Sequence, residues 1–470
     1  MRYDALIIGA GLSGLAAGIR LAMFDKKVLI VEKHVEIGGL NSFYTRKHRT
    51  FDVGLHAMTN YTPKGTRSSP LGKLLKQLRF RHEEFRLCQQ VMSEIRFPEK
   101  ALRFTNDFGF LEQEVAEQFP READGFQKLV AHIRAFDELN LDDTEKISSR
   151  EILEHYLSDP LLIDMLYCPT MYYGNAREGD MDFYQFVIMF KSIFMEGFAK
   201  PVGGMPYILN LMLDKYQTLG GEIRMGCGVQ SIASKDGELQ AVHLADGATV
   251  QADKVISSAG YVETMRLCDS CGEDEQPDRV GQISFMESLF VLDREPKELG
   301  FDKSIIFFST RPQFHYRVPD TLIDVTSGVF CCPNNFEYPE PLAEGMLRLT
   351  NMASFKMWDG LVRKDYRAAK KEQGRRAVEA LLAFFPDFRD HVIYEDAFTP
   401  KTIHKYTGHL NGAVYGSPEK AKDGLTPVKN LFICGTDQGF LGIIGATLSG
   451  ISMANRHVLQ AEPNLENGRP

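Results

Sequence analysis

Residues 3–14 read YDALIIGAGLSG, and how this stretch is understood decides the fold. Ala5 to Ile8 is a short, continuous apolar run, as expected of a parallel strand covered on both faces. Gly9 permits a tight turn, Gly11 lets a backbone approach a pyrophosphate, and Gly14 lets the next helix pack close to the strand. That helix, predicted from Leu12 to about Phe24, turns its N-terminal N–H groups toward the phosphates. A second strand follows over Lys27–Val31 and ends on Glu32, whose carboxylate accepts from ribose hydroxyls and repels a 2′-phosphate. The motif therefore predicts a dinucleotide site for FAD or NAD and excludes NADP.

The continuation Glu32-Lys33-x-x-x-x-Gly38-Gly39-Leu40-Asn41-Ser42 favours FAD, because paired glycines let the chain run along the pyrophosphate toward a flavin. Residues 430–450, NLFICGTDQGFLGIIGATLSG, supply the complementary piece. Asn430–Cys434 reads as a buried strand, Asp437 is placed to accept from ribityl hydroxyls, and a helix starting near Gly442 aims its dipole at the flavin. Between these ends, Pro201–Met205, a helix through Tyr216, a strand over Glu222–Ile232 and the return strand Asp253–Gly260 complete a discontinuous nucleotide-binding unit.

Taken together, GAGLSGLAAGIRLA, EKHVEIGGLNSFY, FDVGLHAM, PVGGMPYIL with LGGEIRMGCGVQSI, ADKVISSAG and CGTDQGFLGIIGATLSG resemble the phytoene desaturase, carotenoid isomerase and retinol saturase branch of the FAD-dependent oxidoreductases. One departure is Leu40, where many desaturases carry a basic residue. The resemblance implies noncovalent FAD and chemistry on C–C or C=C bonds of a long apolar isoprenoid, carotenoid or lipid: desaturation, saturation or isomerisation. It implies an α/β fold, a Rossmann-type FAD-binding domain of the glutathione-reductase/amine-oxidase kind with an inserted α+β substrate domain. Carried over by position, Gly9, Gly11, Leu12, Ser13, Gly14, Glu32, Lys33, Gly39, Leu40, Asn41, Ser42, His56, Ala57, Met58, Val229, Gly260, Gly435, Asp437, Gly442 and Ile444 form the expected cofactor set. The flavin-binding domain is expected over 1–80, 200–280 and 396–470, with a helical insert at 81–199 and a sheet-containing one at 281–395. An amine-oxidase-like flavoenzyme and a noncatalytic prenyl-protein binder of the dissociation-inhibitor type are the competing readings.

The middle of the chain bears on the substrate. LLIDMLYCPTMYYGN (161–175) and MDFYQFVIMFKSIFMEGF (181–198) are dense in aromatic and Met side chains, which suit either a tunnel for an elongated ligand or a helical core. His56, Tyr173 and His404 are the acid–base candidates. KGTRSSPLGKLLKQLRFR (64–81) interleaves basic residues with leucines, reading either as a helix resting on an anionic membrane surface or as a solvated helix with one buried face.

A formal net charge of −9 argues against a nucleic-acid partner. Cys268-x-x-Cys271 lacks the second pair a zinc site needs, so no metal is expected, and the eight cysteines read as reduced thiols. The glycine spacing accounts for the N-terminus better than a signal peptide does, and no run of about 18 apolar residues appears. A cytoplasmic location is expected, with or without peripheral contact on the cytoplasmic membrane face. No second glycine fingerprint is present, leaving quinone, oxygen or a transient NAD(P)H as the electron partner.

Overall fold

The computed structural model describes residues 2–54, 56–136, 146–270 and 277–460. Cys271 lies outside them, so the Cys268–Cys271 pair is represented by Cys268 alone, a buried thiol directed at the Thr264 carbonyl.

The apolar opening run becomes the strand Arg2–Ile8, flanked in parallel by Val28–Val31 and Thr249–Ser257. Glu222–Arg224 and Leu431–Ile433 extend the parallel sheet at either side, so three distant parts of the chain build it. Val229–Lys235 and Glu238–Leu244 continue it antiparallel. The sequence predicts one strand over Glu222–Ile232, whereas the structure breaks it at Met225–Gly228. There the chain leaves the sheet to bond the other strand's end, Gly226 N to His34 O at 2.9 Å and Cys227 N to Glu32 O at 2.8 Å.

The helix Leu12–Ala22 is buried almost throughout, because the sheet covers one side and the helices Gly204–Thr218 and Gly442–Ala454 cover the others. Small residues permit this: a Cβ on Gly450 would stand 1.9 Å from the Ser13 carbonyl oxygen. The helix Pro70–Leu78 lies on the same bundle, with Leu71, Leu74, Leu75 and Leu78 all buried and Lys76 outside. Its apolar face is thus spent on the protein interior, the feature that one of the two readings of Lys64–Arg81, a helix with one buried face, requires. Leu74→Ala should accordingly cost about 2–5 kcal/mol, read as a lowered melting temperature. No helix of the described residues is long and apolar enough to cross a membrane.

The second sheet has seven strands in the order Val392–Phe398, Ser284–Leu292, Gly345–Ala353, Ser327–Cys331, Ile305–Ser309, Ser93–Arg96 and Ala101–Phe104. Both stretches, 81–199 and 281–395, contribute to it. The helix Pro160–Gly174 packs on this sheet and Phe183–Phe190 packs on that helix, and both are apolar on nearly every side, which marks interior helices. Phe183, Phe186, Phe190, Phe194 and Phe198 fill the core between them, and of the two aromatic-rich stretches Tyr172 and Tyr173 reach one cavity and Leu161, Asp164 and Met171 another. Packing, and not a tunnel, therefore explains most of that density.

Candidate functional site

At the carboxyl end of Arg2–Ile8 the chain turns through Gly9 (φ 97°), where a Cβ would sit 2.4 Å from Ser258 Oγ. Gly11 then lies beside Gly38 in a parallel bridge. A Cβ on Gly11 would meet nothing closer than the Gly38 carbonyl at 3.9 Å, and one on Gly39 nothing closer than Gly11 Cα at 3.7 Å. Two bare backbones thus leave an open groove at the N-terminus of the helix Leu12–Ala22, suited to an anion. Gly14 plays a different part, since its Cβ would fall 2.0 Å from the Gly9 carbonyl oxygen. Leu12 and Ser13 are buried behind the groove.

A cavity of about 710 Å³ begins at Glu32, passes Gly39–Ser42 and reaches His56, Ala57 and Gly442. Glu32 is held by backbone donors, Ala10 N to Oε2 at 2.7 Å and His34 N to Oε1 at 2.8 Å. Ser42 Oγ donates to the Ile37 carbonyl at 2.7 Å, which fixes the turn after the paired glycines. Gly442, Ile443 and Ala446 bring the C-terminal helix to the cavity.

Several expected residues stand elsewhere. Ile444, one residue from the cavity wall, points into the core, and Met58 is buried with its N–H on the Ala199 carbonyl at 2.8 Å. Asp437 is 2 % exposed and turns away from the cavity: its oxygens accept from Tyr261 N at 2.6 Å and Ser417 N at 2.7 Å. The turn at Gly416 brings that backbone onto it, and Thr436 lines the cavity in its place. Gly260 starts the helix that Asp437 ties down. Gly435 lies over Ser13 Oγ, 3.1 Å from where its Cβ would be. Val229 pairs with Leu244 in the sheet, while Gly228 before it approaches Lys33, whose amine burial pushes below its usual range. None of Gly260, Gly435, Val229 and Lys33 lines the cavity wall.

The cavity's inner end is walled by Tyr172, Tyr173, Phe285, Val329, Val414 and Tyr415, among which three polar groups stand: His56, Glu287 and Thr350. Glu287 and Thr350 are direct partners across the antiparallel strands, and Arg348 lies two residues along on the same face. Glu287 and Arg348 are each 2 % exposed and bonded to one another. Thr350 Oγ1 donates to Glu287 Oε2 at 3.1 Å. His56 Nε2 stands 2.8 Å from Thr350 Oγ1 and 3.4 Å from Glu287 Oε2.

Burial pushes the Glu287 carboxyl up, but Arg348 and His56 outweigh it and hold the group at about 2. Burial lowers His56, and the pull of Glu287 does not fully compensate. Tyr173 brings its ring to the cavity; its buried hydroxyl has no partner among the described residues, and burial holds it well above its ordinary range.

His404, the third acid–base candidate, is not brought to these groups. Its Nδ1 bonds the His409 carbonyl at 2.8 Å and its ring packs on Phe355. Sequence reasoning missed Glu287, Arg348 and Thr350, although a carboxylate inside the apolar run SFMESLFVL was a usable signal: a buried charge needs a partner.

A parallel sheet with a bare glycine turn at its carboxyl edge, beside a cavity that runs into the interior, defines a dinucleotide-fold protein. The chain matches the model of the flavin containing amine oxidoreductases over residues 12–457, and it belongs to that family. It is 22 % identical to prolycopene isomerase 1, chloroplastic, of an Oncidium hybrid cultivar, over 100 % of this chain and 85 % of that one. It is 24 % identical to all-trans-retinol 13,14-reductase of Danio rerio, over 98 % and 87 % of the two chains. Among solved structures, an oxidoreductase from Methanosarcina mazei shares the fold with a TM-score of 0.66, at 16 % identity over 96 % of this chain and 99 % of that one.

Proposed function

We propose that the chain binds FAD noncovalently and acts on C–C or C=C bonds of a long apolar isoprenoid, carotenoid or lipid chain. The observation that carries this reading is the continuity of one cavity, from Glu32 past Gly39, which lies against the bare Gly11 backbone, to an aromatic inner end. Gly11, Gly39 and the first amides of the helix Leu12–Ala22 would hold the pyrophosphate. Glu32 would hold the ribose, with Asn41, Ser42 and Gly442 beside the ring system. FAD, when bound, supplies hydride acceptance or delivery. The chain's own part is to exclude water and hold the reacting bond flat: Tyr172, Phe285, Val329 and Tyr415 offer contact area without demanding hydrogen bonds. Residues 1–80, 200–280 and 396–470 serve as the cofactor part, 81–199 and 281–395 as the substrate part. The relatives' names, an isomerase of prolycopene and a reductase of retinol, support the substrate class. The electron partner is a quinone, oxygen or a transient NAD(P)H, and the setting is cytoplasmic.

Anaerobic incubation of the FAD-loaded protein with phytoene, prolycopene and lipid extracts tests this. Bleaching of the flavin indicates dehydrogenation, and a product of unchanged mass indicates isomerisation. Bleaching by amines alone would replace this reading with an amine oxidase, for which Tyr172, Tyr173 and Tyr415 near Glu287 offer an aromatic, anionic pocket. A protein that takes up no flavin would point to the prenyl-protein binder.

A further inference from the structure

We propose that His56 is the proton-transferring group of the cavity, presenting its Nδ1 as a lone pair, and that Glu287, Thr350 and Arg348 are the positioning residues that impose this tautomer. The proposal rests on the substrate reading above for its chemistry and on hydrogen bonds alone for its geometry.

Ionised Glu287 can only accept. Thr350 has one hydroxyl hydrogen, and it goes to Glu287 Oε2 at 3.1 Å. Toward His56, 2.8 Å away, Thr350 Oγ1 therefore acts as acceptor, so the hydrogen sits on Nε2. The opposite assignment would set the Nε2 lone pair against the carboxylate oxygen at 3.4 Å. A neutral imidazole protonated at Nε2 has its lone pair at Nδ1, which finds no partner among the described residues on a ring whose remaining 12 % exposure meets the cavity.

The surrounding charges keep the ring neutral. Glu287 is offset by Arg348, and Lys200 by Asp52 at 3.3 Å, so the buried charges balance without a cation on His56. Tyr173 and Cys331, whose thiol faces the His56 carbonyl at 3.7 Å, complete the neighbours as uncharged groups. Once His56 takes a proton, Glu287 stabilises the imidazolium, as the carboxylate of a catalytic triad does. In the desaturating direction a substrate C–H bond breaks, its proton goes to Nδ1 and its electron pair becomes the new π bond. FAD, when bound in its oxidised form, would supply the acceptor for the hydride leaving the adjacent carbon.

Histidine-selective ¹⁵N NMR of the FAD-loaded protein at pH 7 tests the tautomer directly. His56 should show a protonated Nε2 and a bare Nδ1; Thr350→Val should give a mixture, and Thr350→Ser should restore the single form. An Nδ1–H tautomer, an imidazolium in the wild type, or a spectrum unmoved by Thr350→Val would overturn the proposal. With phytoene as probe, His56→Gln should slow bleaching per bound flavin by about 10²-fold or more. A loss under threefold would also overturn it. A wild-type protein that phytoene does not bleach counts against the substrate reading, and the NMR result then decides the tautomer by itself.

Discussion

Gly11→Ala should strip the protein of flavin while its melting temperature without cofactor stays within about 1 °C. The added Cβ meets only the Gly38 carbonyl at 3.9 Å, and the backbone there (φ −72°, ψ 176°) suits any residue. What it fills is the groove. Losing two charge-assisted backbone hydrogen bonds to a pyrophosphate, each about 1.5–3 kcal/mol, lowers affinity by roughly 10²-fold or more. Gly14→Ala should do the reverse in order of cause. Its Cβ would lie 2.0 Å from the Gly9 carbonyl, so the helix must move off the strand and stability falls by about 1–3 kcal/mol before any ligand is considered. Flavin titration and thermal melts of the two apoproteins separate the effects. Equal melting temperatures in the two variants would count against the groove.

The second large effect falls on the buried ion pair. Arg348→Met should cost about 3–5 kcal/mol, because Glu287 then stays buried without its countercharge. The pH dependence should change sign as well. In the wild type the Glu287 carboxyl, held at about 2, lies below its ordinary value of 4.5. Its contribution is present above pH 4.5 and is lost as the pH falls toward 2. Without Arg348 the buried Glu287–His56 pair lacks a positive charge and takes up a proton more readily than in the unfolded chain, so the variant should gain stability as the pH drops from 7 to 5. Urea melts across that range check it. Glu287→Leu combined with Arg348→Met should recover most of the loss, since apolar replacement of a whole buried pair is often neutral.

The sequence made the nucleotide end legible because its signals are local. Gly9, Gly11 and Gly14 act within one turn, and Glu32 follows at a fixed distance on the next strand. The chamber's inner end is not local. Glu287 and Thr350 meet only through an antiparallel register set by the whole sheet, and His56 reaches them from a third segment. Asp437 reads as a cofactor contact from its neighbours in sequence, but the amides of Ser417, after the turn at Gly416, and of Tyr261, from a distant segment, claim its two oxygens. Aromatic density between 161 and 198 failed as a guide because large apolar side chains look alike whether they face a ligand or each other.

The closeness of Gly450 to Ser13 has a bearing on how the molecule is made. The wall behind the groove is assembled from the first helix and the helix Gly442–Ala454, with no room between them for a methyl group. During synthesis the two arrive at opposite times, and the ribosome releases the later one only after both inserts have emerged. The nascent first helix therefore has a glycine turn but no roof until the helix Gly442–Ala454 has been made and packed against it.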